Sequence, residues 1–428
     1  MPDASVICHE AQRRFALEVV QRLRASGFDA YWAGGCVRDQ LLGRVPKDYD
    51  VATNARPEQV REIFGRRRTV AVGAAFGVIS VRGPKRAGQI EVATFRRDVD
   101  YSDGRHPDGV VFSSPAEDAA RRDFTINGLF YDPLDDRVLD FVGGREDLAR
   151  RLIRAIGDPY QRFREDKLRL LRAVRFAAAF EFELEPRTRE AVREMASEIL
   201  VVSPERIAME MERMLVDPRR VRAVRLLRET GLAAAILPEI VPLDPAGDAR
   251  LDHALAMLER LVEPSFPLAL ATLLHPFIDA EATLAVCRRW RLSNRCSQRA
   301  AWLVEHHAAL RDPQALRRSQ LQPILIAEDI GDLLALEQAA AEAAGRDTGH
   351  VTWCRSLLAQ PREALDPAPL VKGDDLLRGG IAPGPEYRFL LQKIREAQLD
   401  GEIHDREEAL KLAHRLRQEA NSQSSAGP

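Results

Sequence analysis

At 428 residues, with 45% hydrophobic and 30% charged side chains, the chain has room for two or three domains with real cores. Its formal net charge of −2 excludes a global electrostatic pull toward nucleic acid, so RNA affinity has to come from local basic patches. Five scattered cysteines (Cys8, Cys36, Cys287, Cys296, Cys354) with no C-x-x-C pair argue against a disulfide framework or a zinc site. The N-terminus has no apolar secretory core, and no run reaches the roughly 18 apolar residues of a membrane span, so the cytoplasm is the default expectation.

In chain order, Glu10 to Ala25 places Phe15, Val19 and Leu23 at helical spacing and stops at Gly27, a packing helix ahead of the first strand. The stretch Tyr31 to Asn54 then organises everything downstream. Trp32 and Ala33 suit a strand, Gly34-Gly35 a tight turn open to close backbone approach, and Val37 to Leu42 a short helix closed by Gly43. That turn and helix start are a natural seat for phosphate, with Arg38 as a fixed cation. After Pro46 the chain extends, and Asp48 and Asp50, two apart on a strand, point to one side. Paired carboxylates beside a phosphate cradle suit Mg²⁺ held between protein and a triphosphate.

A short helix is expected from Pro57 to Gly65, followed by the solvated run Arg66-Arg67-Arg68. Val70–Val72, Val78–Val81 and Ile90–Phe95 are β-rich runs that complete a small mixed sheet. Glu91, inside the third run, reads equally as a third carboxylate of the site or as an ordinary edge-strand glutamate. Asp98 to Asp108 is polar and turn-rich and reads as a mobile loop, with His106 solvated beside Pro107. In Arg121-Arg122-Asp123-Phe124-Thr125-Ile126-Asn127, two arginines can neutralise triphosphate. Asp123 and Asn127 can read ribose hydroxyls or, alternatively, cap the next segment.

Phe141-Val-Gly-Gly-Arg145 reads as a hinge, its glycines allowing rotation, and leads into Glu165-Asp166-Lys-Leu-Arg169-Leu-Leu-Arg172-Ala-Val-Arg175-Phe176. At about 100° per residue Asp166, Arg169, Arg172 and Arg175 wind as a stripe over one half of a helix, with leucine and valine anchoring the other. Asp and Arg at i, i+3 also make ordinary surface pairs. The chemistry offers more. Cytosine and adenine both carry an exocyclic amino donor beside a ring-nitrogen acceptor, whereas uracil and guanine carry a carbonyl oxygen in place of that amino group. Asp166 accepts only and Arg169 donates only, so together they would admit C and A and leave buried groups unpaired against U or G. Arg172 and Arg175 could add phosphate or RNA-backbone contacts.

These stretches resemble the motifs of the class II tRNA nucleotidyltransferases (CCA-adding enzymes) and bacterial poly(A) polymerases, within the DNA polymerase beta-like nucleotidyltransferases. The first motif is carried by Gly34-Gly35, Val37-Arg38-Asp39, Leu41-Leu42-Gly43 and Lys47-Asp48-Tyr49-Asp50. The second is Arg121 to Asn127, although Gly128 stands where alanine is common. The third is Glu165 to Phe176, and Ser203-Pro204-Glu205-Arg206 with Glu210 fits the last, with Ser203 capping a helix and Glu205 and Arg206 bracing the neck. The resemblance covers about residues 30–215. It implies an α+β protein: a nucleotidyltransferase head with a small mixed sheet (1–145), a base-selecting helical neck (146–215), an all-α body and tail (216–420) that holds tRNA, and a disordered end (421–428). It also implies Asp48 and Asp50 as catalytic Mg²⁺ ligands and Gly35, Arg38, Arg122, Asp166, Arg169, Arg172 and Arg175 as nucleotide-binding. Asp98–Asp108 would be the flexible loop that helps the site switch from C to A, not shortened as in CC-only members. The partners would be tRNA, CTP and ATP, with no membrane and no obligate protein partner. The expected activity is template-independent CCA addition, with A-adding, CC-adding and poly(A)-polymerase activities as alternatives within the family.

The remainder reads as helical, interrupted at Pro238, Pro242, Pro264, Pro267 and Pro323. Leu251-Asp-His253-Ala and Leu273-Leu-His275-Pro276 faintly resemble an HD phosphohydrolase. Pro276 stands where its second aspartate belongs, so His253 and His275 read as packing remnants. Arg288, Arg289 and Arg291 offer RNA contacts that nothing separates from solvated arginines.

Overall fold

The computed structural model describes residues 8–73, 77–99, 109–241 and 245–424. The loop expected over 98–108, with His106, falls largely outside these residues; Asp98 and Val99 are the end of a strand. The chain divides into two compact units, Met1–Val241 and Pro242–Pro428.

The first unit opens with α1 (His9–Ala25), whose Phe15, Val19, Val20 and Leu23 are buried. Then follow β1 (Ala30–Ala33), α2 (Gly35–Leu41), β2 (Asp50–Thr53), α3 (Pro57–Phe64), β3 (Thr69–Gly73), β4 (Val78–Arg82) and β5 (Gln89–Thr94). The hairpin β6 (Arg96–Val99) and β7 (Gly109–Phe112) leads to α4 (Pro115–Ala120), β8 (Leu129–Asp132) and β9 (Arg137–Asp140). One seven-stranded sheet forms in the order β3-β4-β5-β2-β1-β8-β9, mixed because β2 and β5 run parallel and every other pair antiparallel. This agrees with the expected small mixed sheet. Adjacent residues of a strand face opposite sides. On one side Tyr31, Ala33, Ala52, Phe95, Ala119 and Phe130 form an apolar cluster.

Next come α5 (Gly144–Arg150), the short β10 (Leu152–Ile153), α6 (Pro159–Glu165), α7 (Arg169–Phe180), β11 (Glu183–Leu184), α8 (Pro186–Glu194) and α9 (Pro204–Leu215), then α10 (Arg220–Glu229) and α11 (Leu232–Ile236). Helix α10 packs on α7 and α9, so the first unit continues past the expected neck boundary to Val241.

Three local expectations need correction. The Gly143-Gly144 segment is pinned: the Asp140 carboxylate accepts the backbone N–H groups of Val142, Gly143, Gly144 and Arg145 at 2.9–3.1 Å. A Cβ on Gly144 would lie 2.3 Å from the Thr125 carbonyl oxygen and 2.9 Å from Leu129. That glycine serves close packing, and Gly144→Ala is expected to cost about 2–3 kcal/mol in urea unfolding; an unchanged midpoint would contradict the packing role. Second, Ser203 does occupy the cap position of α9, but its side chain makes no capping hydrogen bond. Third, Pro323 does not break its helix: it lies inside Arg318–Leu325.

The second unit is helical, including Pro245–Arg260, Phe266–Leu274, Ala280–Arg289, Asn294–His306, Ile330–Ala343 and Tyr387–Leu399. His275 closes Phe266–Leu274, with Nε2 3.3 Å from the Met257 sulfur and its ring 4.4 Å from that of His307. Burial, aided by His307, His253 and Arg311, pushes its pKa down to about 3, so the imidazole is neutral, as a packing residue requires. Arg288 and Arg289 lie exposed in the last turn of Ala280–Arg289. A final helix, Arg406–Ser424, extends into the segment expected to be disordered; residues 425–428 lie outside the described ones. None of the five cysteines is disulfide-bonded, and among the described residues no helix is long and apolar enough to cross a membrane.

Candidate active site

Gly34 has φ +73°, a conformation that favours glycine, and links β1 to α2. The space a Cβ would fill there is taken by Arg122, whose Nη1 would lie 2.7 Å from it. Arg122 thus lies against the glycine turn, with its guanidinium 5.1 Å over the Phe130 ring. Both arginines of the second motif are held by one carboxylate that sequence reasoning missed. Asp118, 1% exposed, accepts from Arg121 at 2.9 and 2.7 Å and from Arg122 at 3.3 and 3.0 Å. Burial alone would raise its pKa, but the two guanidiniums outweigh it and hold the carboxyl below its ordinary value. The signal was legible: Ser114 with Glu117 is a capping box that announces α4, and Asp118 stands three and four residues before the arginines.

Asp50 opens β2, and Asp48 lies just before the strand instead of on it. Tyr49, between them, is buried edge-on against Trp32 at 4.9 Å, which anchors the segment. Asp50 pairs in register with Glu91 of parallel β5 and with Ala33 of β1, so Asp50 and Glu91 share one face of the sheet. Asp48, Asp50 and Glu91 are all exposed residues. Partial burial, then the charges of Asp48 and Glu91, push the pKa of Asp50 up to about 7, and only Arg122 opposes them. The charges of Asp48 and Glu91 therefore both bear on Asp50, and the Arg122 guanidinium only partly offsets them.

The remaining nucleotide-binding expectations meet a different geometry. Arg38 is 8% exposed and already engaged: it donates to Asn127 Oδ1 at 2.6 Å and to Asp39 Oδ1 at 2.9 and 2.7 Å, and stacks 4.5 Å over Phe180. It is a buried bridge, not an open cation beside the turn. Asp166 does not lie on the helix that the sequence suggested. Helix α6 ends at Glu165, Asp166 has extended backbone (φ −148°, ψ 105°), and α7 begins at Arg169. The carboxylate accepts the Leu168 N–H at 3.1 Å and a bidentate pair from Arg206 at 3.1 and 2.7 Å. Arg169 does lie on α7, 9% exposed, donating to Glu165 at 2.6 Å and the Arg162 carbonyl at 2.8 Å. Arg172 holds Asp123 at 2.9 and 2.5 Å, and Arg175 holds Glu210 at 2.5 Å. Asp123 also accepts Asn127 Nδ2 at 3.0 Å and the Phe124 N–H at 2.8 Å. Burial would raise its pKa; Arg172 and these hydrogen bonds outweigh it and hold the carboxyl well below the usual range. Asp123 thus ties its own segment to α7, and the next short helix, Thr125–Asn127, has no side-chain cap.

A mixed sheet with paired aspartates beside a glycine turn, backed by an arginine pair, defines a nucleotidyltransferase head of the DNA polymerase beta-like class. The family model described as the poly A polymerase head domain matches residues 30–154, and the probable RNA- and SrmB-binding site of polymerase A matches residues 181–243. A CCA-adding enzyme of Geobacillus stearothermophilus is 35% identical over 403 residues, covering 92% of this chain and 95% of the relative. Poly(A) polymerase I of Haemophilus influenzae is 40% identical over 239 residues, but that spans only 53% of this chain and 52% of the relative. The solved CCA-adding enzyme of Bacillus stearothermophilus in complex with CTP superposes with a TM-score of 0.76 at 32% identity, over 96% of this chain and 98% of that one. The chain belongs to the family of CCA-adding tRNA nucleotidyltransferases and bacterial poly(A) polymerases.

Proposed function

We propose that this protein adds C and A from CTP and ATP to the 3′ end of tRNA without a nucleic-acid template, releasing pyrophosphate. The observation that carries this is coverage: the likeness to CCA-adding enzymes runs through both units, whereas the likeness to poly(A) polymerase I ends at about half the chain. The three-part reading of 1–145 as head, 146–215 as neck and 216–420 as tRNA-holding body goes with it. Supplying CTP alone tests it: a tRNA ending before CCA should grow by two residues, and a protein that uses only ATP would refute CCA addition.

In this reading Asp48 and Asp50, with Glu91 beside them, hold Mg²⁺. The donors fit: they are oxygen ligands only, and their charge is under-compensated. Among the described residues no group of three or more ligating side chains lies close enough together to hold a metal ion, so the assignment rests on the pair Asp48 and Asp50. A divalent cation there supplies charge neutralisation for the triphosphate and the departing pyrophosphate. Arg122, set by Asp118 against Gly34-Gly35, binds the triphosphate and aligns its α-phosphate for in-line attack by the RNA 3′-hydroxyl. Asp166, held in place by Arg206, accepts a hydrogen bond from the amino group of C or A, and Arg169 donates to the ring nitrogen.

The Asp50 carboxyl gives this a pH signature. Its folded pKa, about 7, lies above its ordinary value of 3.8, so the metal-free fold gains stability from this proton below 3.8 and loses it as pH rises toward 7. Mg²⁺ competes with that proton, so it should raise the Tm more at pH 8 than at pH 6, with roughly tenfold weaker binding at the lower pH. Asp50→Asn should remove the difference. Equal Mg²⁺ shifts at both pH values in the unaltered protein would contradict the ligand assignment.

A further inference from the structure

Phe176 collects more charge than a packing residue needs. Its ring is 6% exposed, and the guanidinium carbons of Arg175, Arg172 and Arg38 lie 4.2, 5.1 and 5.4 Å from its centroid. Phe124 packs edge-on at 5.7 Å, and Phe180, one turn along α7, stacks at 5.9 Å and continues the platform under Arg38. The contacts come from three places in the chain: Arg38 from α2 behind the glycine turn, Phe124 from the segment that follows Arg122, and the rest from α7 itself.

A chain of polar contacts closes a ring around the same point. Arg38 donates to Asn127 at 2.6 Å, Asn127 donates to Asp123 at 3.0 Å, and Arg172 donates to Asp123 and lies over Phe176. Three guanidiniums this close repel one another. Each has its own carboxylate (Asp39, Asp123, Glu210), and each also lies over the Phe176 ring, whose face is negative. Leucine would fill the volume but offer the cations nothing. The aromatic ring is thus where the phosphate side of the site and the base-reading helix are fixed to each other.

We propose that Phe176 is a positioning residue for nucleotide selection. Clamped by Arg38, Arg172 and Arg175, it sets the rotation of α7 relative to the Gly34–Arg122 segment, so that a base mismatched at Asp166 and Arg169 is also misaligned at its α-phosphate. This rests on the base-selecting role given to Asp166 and Arg169 above. The test is the kcat and KM for CTP and for UTP on tRNA lacking CCA, with thermal melts alongside, for the unaltered protein, Phe176→Leu and Arg38→Lys. Phe176→Leu should raise the UTP-to-CTP ratio of kcat/KM roughly tenfold, with the loss for CTP mainly in kcat. Arg38→Lys keeps the charge but loses the planar stack, and should shift the ratio in the same direction by less. The two changes together should shift it by less than the product of their separate effects. A lower Tm with an unchanged ratio in Phe176→Leu would overturn the proposal, and if that variant does not fold, an unchanged ratio in Arg38→Lys overturns it instead. An unaltered protein that uses CTP and UTP alike would refute the base-selecting reading itself, before Phe176 enters.

Discussion

Replacing Asp48 and Asp50 with alanine is expected to lower nucleotide transfer by at least about a thousandfold, several kcal/mol of lost transition-state stabilisation, while tRNA binding persists. The two aspartates flank Tyr49, whose buried contact with Trp32 keeps the segment in place when the carboxylates go, so the fold should survive. Removing one carboxylate also relieves the crowding that pushes Asp50 up to about 7, so each single variant should be at least as stable as the parent without Mg²⁺. Primer extension and filter binding on the same preparations check both halves. Incorporation retained in the double variant would remove these residues from catalysis.

The second large effect concerns the base. Asp166→Ala should relax rejection of UTP and GTP, because the acceptor that distinguishes an amino group from a carbonyl oxygen is lost. Sites built on such a hydrogen bond discriminate by about 10⁴–10⁵, and much of that should disappear. Arg206 makes the expectation sharper. It holds both Asp166 oxygens, so in Asp166→Ala it faces the base as an unpaired donor, suited to the carbonyl oxygen of uracil or guanine. CTP and ATP use should therefore fall while UTP use rises in relative terms. Competition between labelled nucleotides measures this directly, and unchanged rejection of UTP and GTP would refute templating by Asp166.

Much of this site was legible in the sequence because its signals are local. Gly34-Gly35 demands a turn, and the strand before it and the helix after it follow from short apolar runs. The β-rich runs around Val78 and Ile90 gave the sheet, and the parallel pairing of β2 with β5 then put Glu91 in register with Asp50. What the sequence did not show lies in long-range pairing. Arg38 looked like a free cation because its partners, Asn127 and Phe180, are 89 and 142 positions away. The stripe from Asp166 to Arg175 had helical spacing, but periodicity cannot reveal that α6 ends at Glu165 and that Asp166, outside the helix, pairs with Arg206 forty positions away. Gly144 read as a hinge for the same reason: sequence gives its freedom, whereas the Thr125 carbonyl that removes the room for a side chain is tertiary.

The most direct measurement supplies tRNAs ending before CCA, after C and after CC with Mg²⁺, CTP and ATP, singly and together, and sizes the products at single-nucleotide resolution. The proposed function predicts three, two and one additions respectively, C before A, followed by arrest. Unlimited A tailing, or extension of the CC-ending tRNA only with no growth of the two shorter ones, would contradict it.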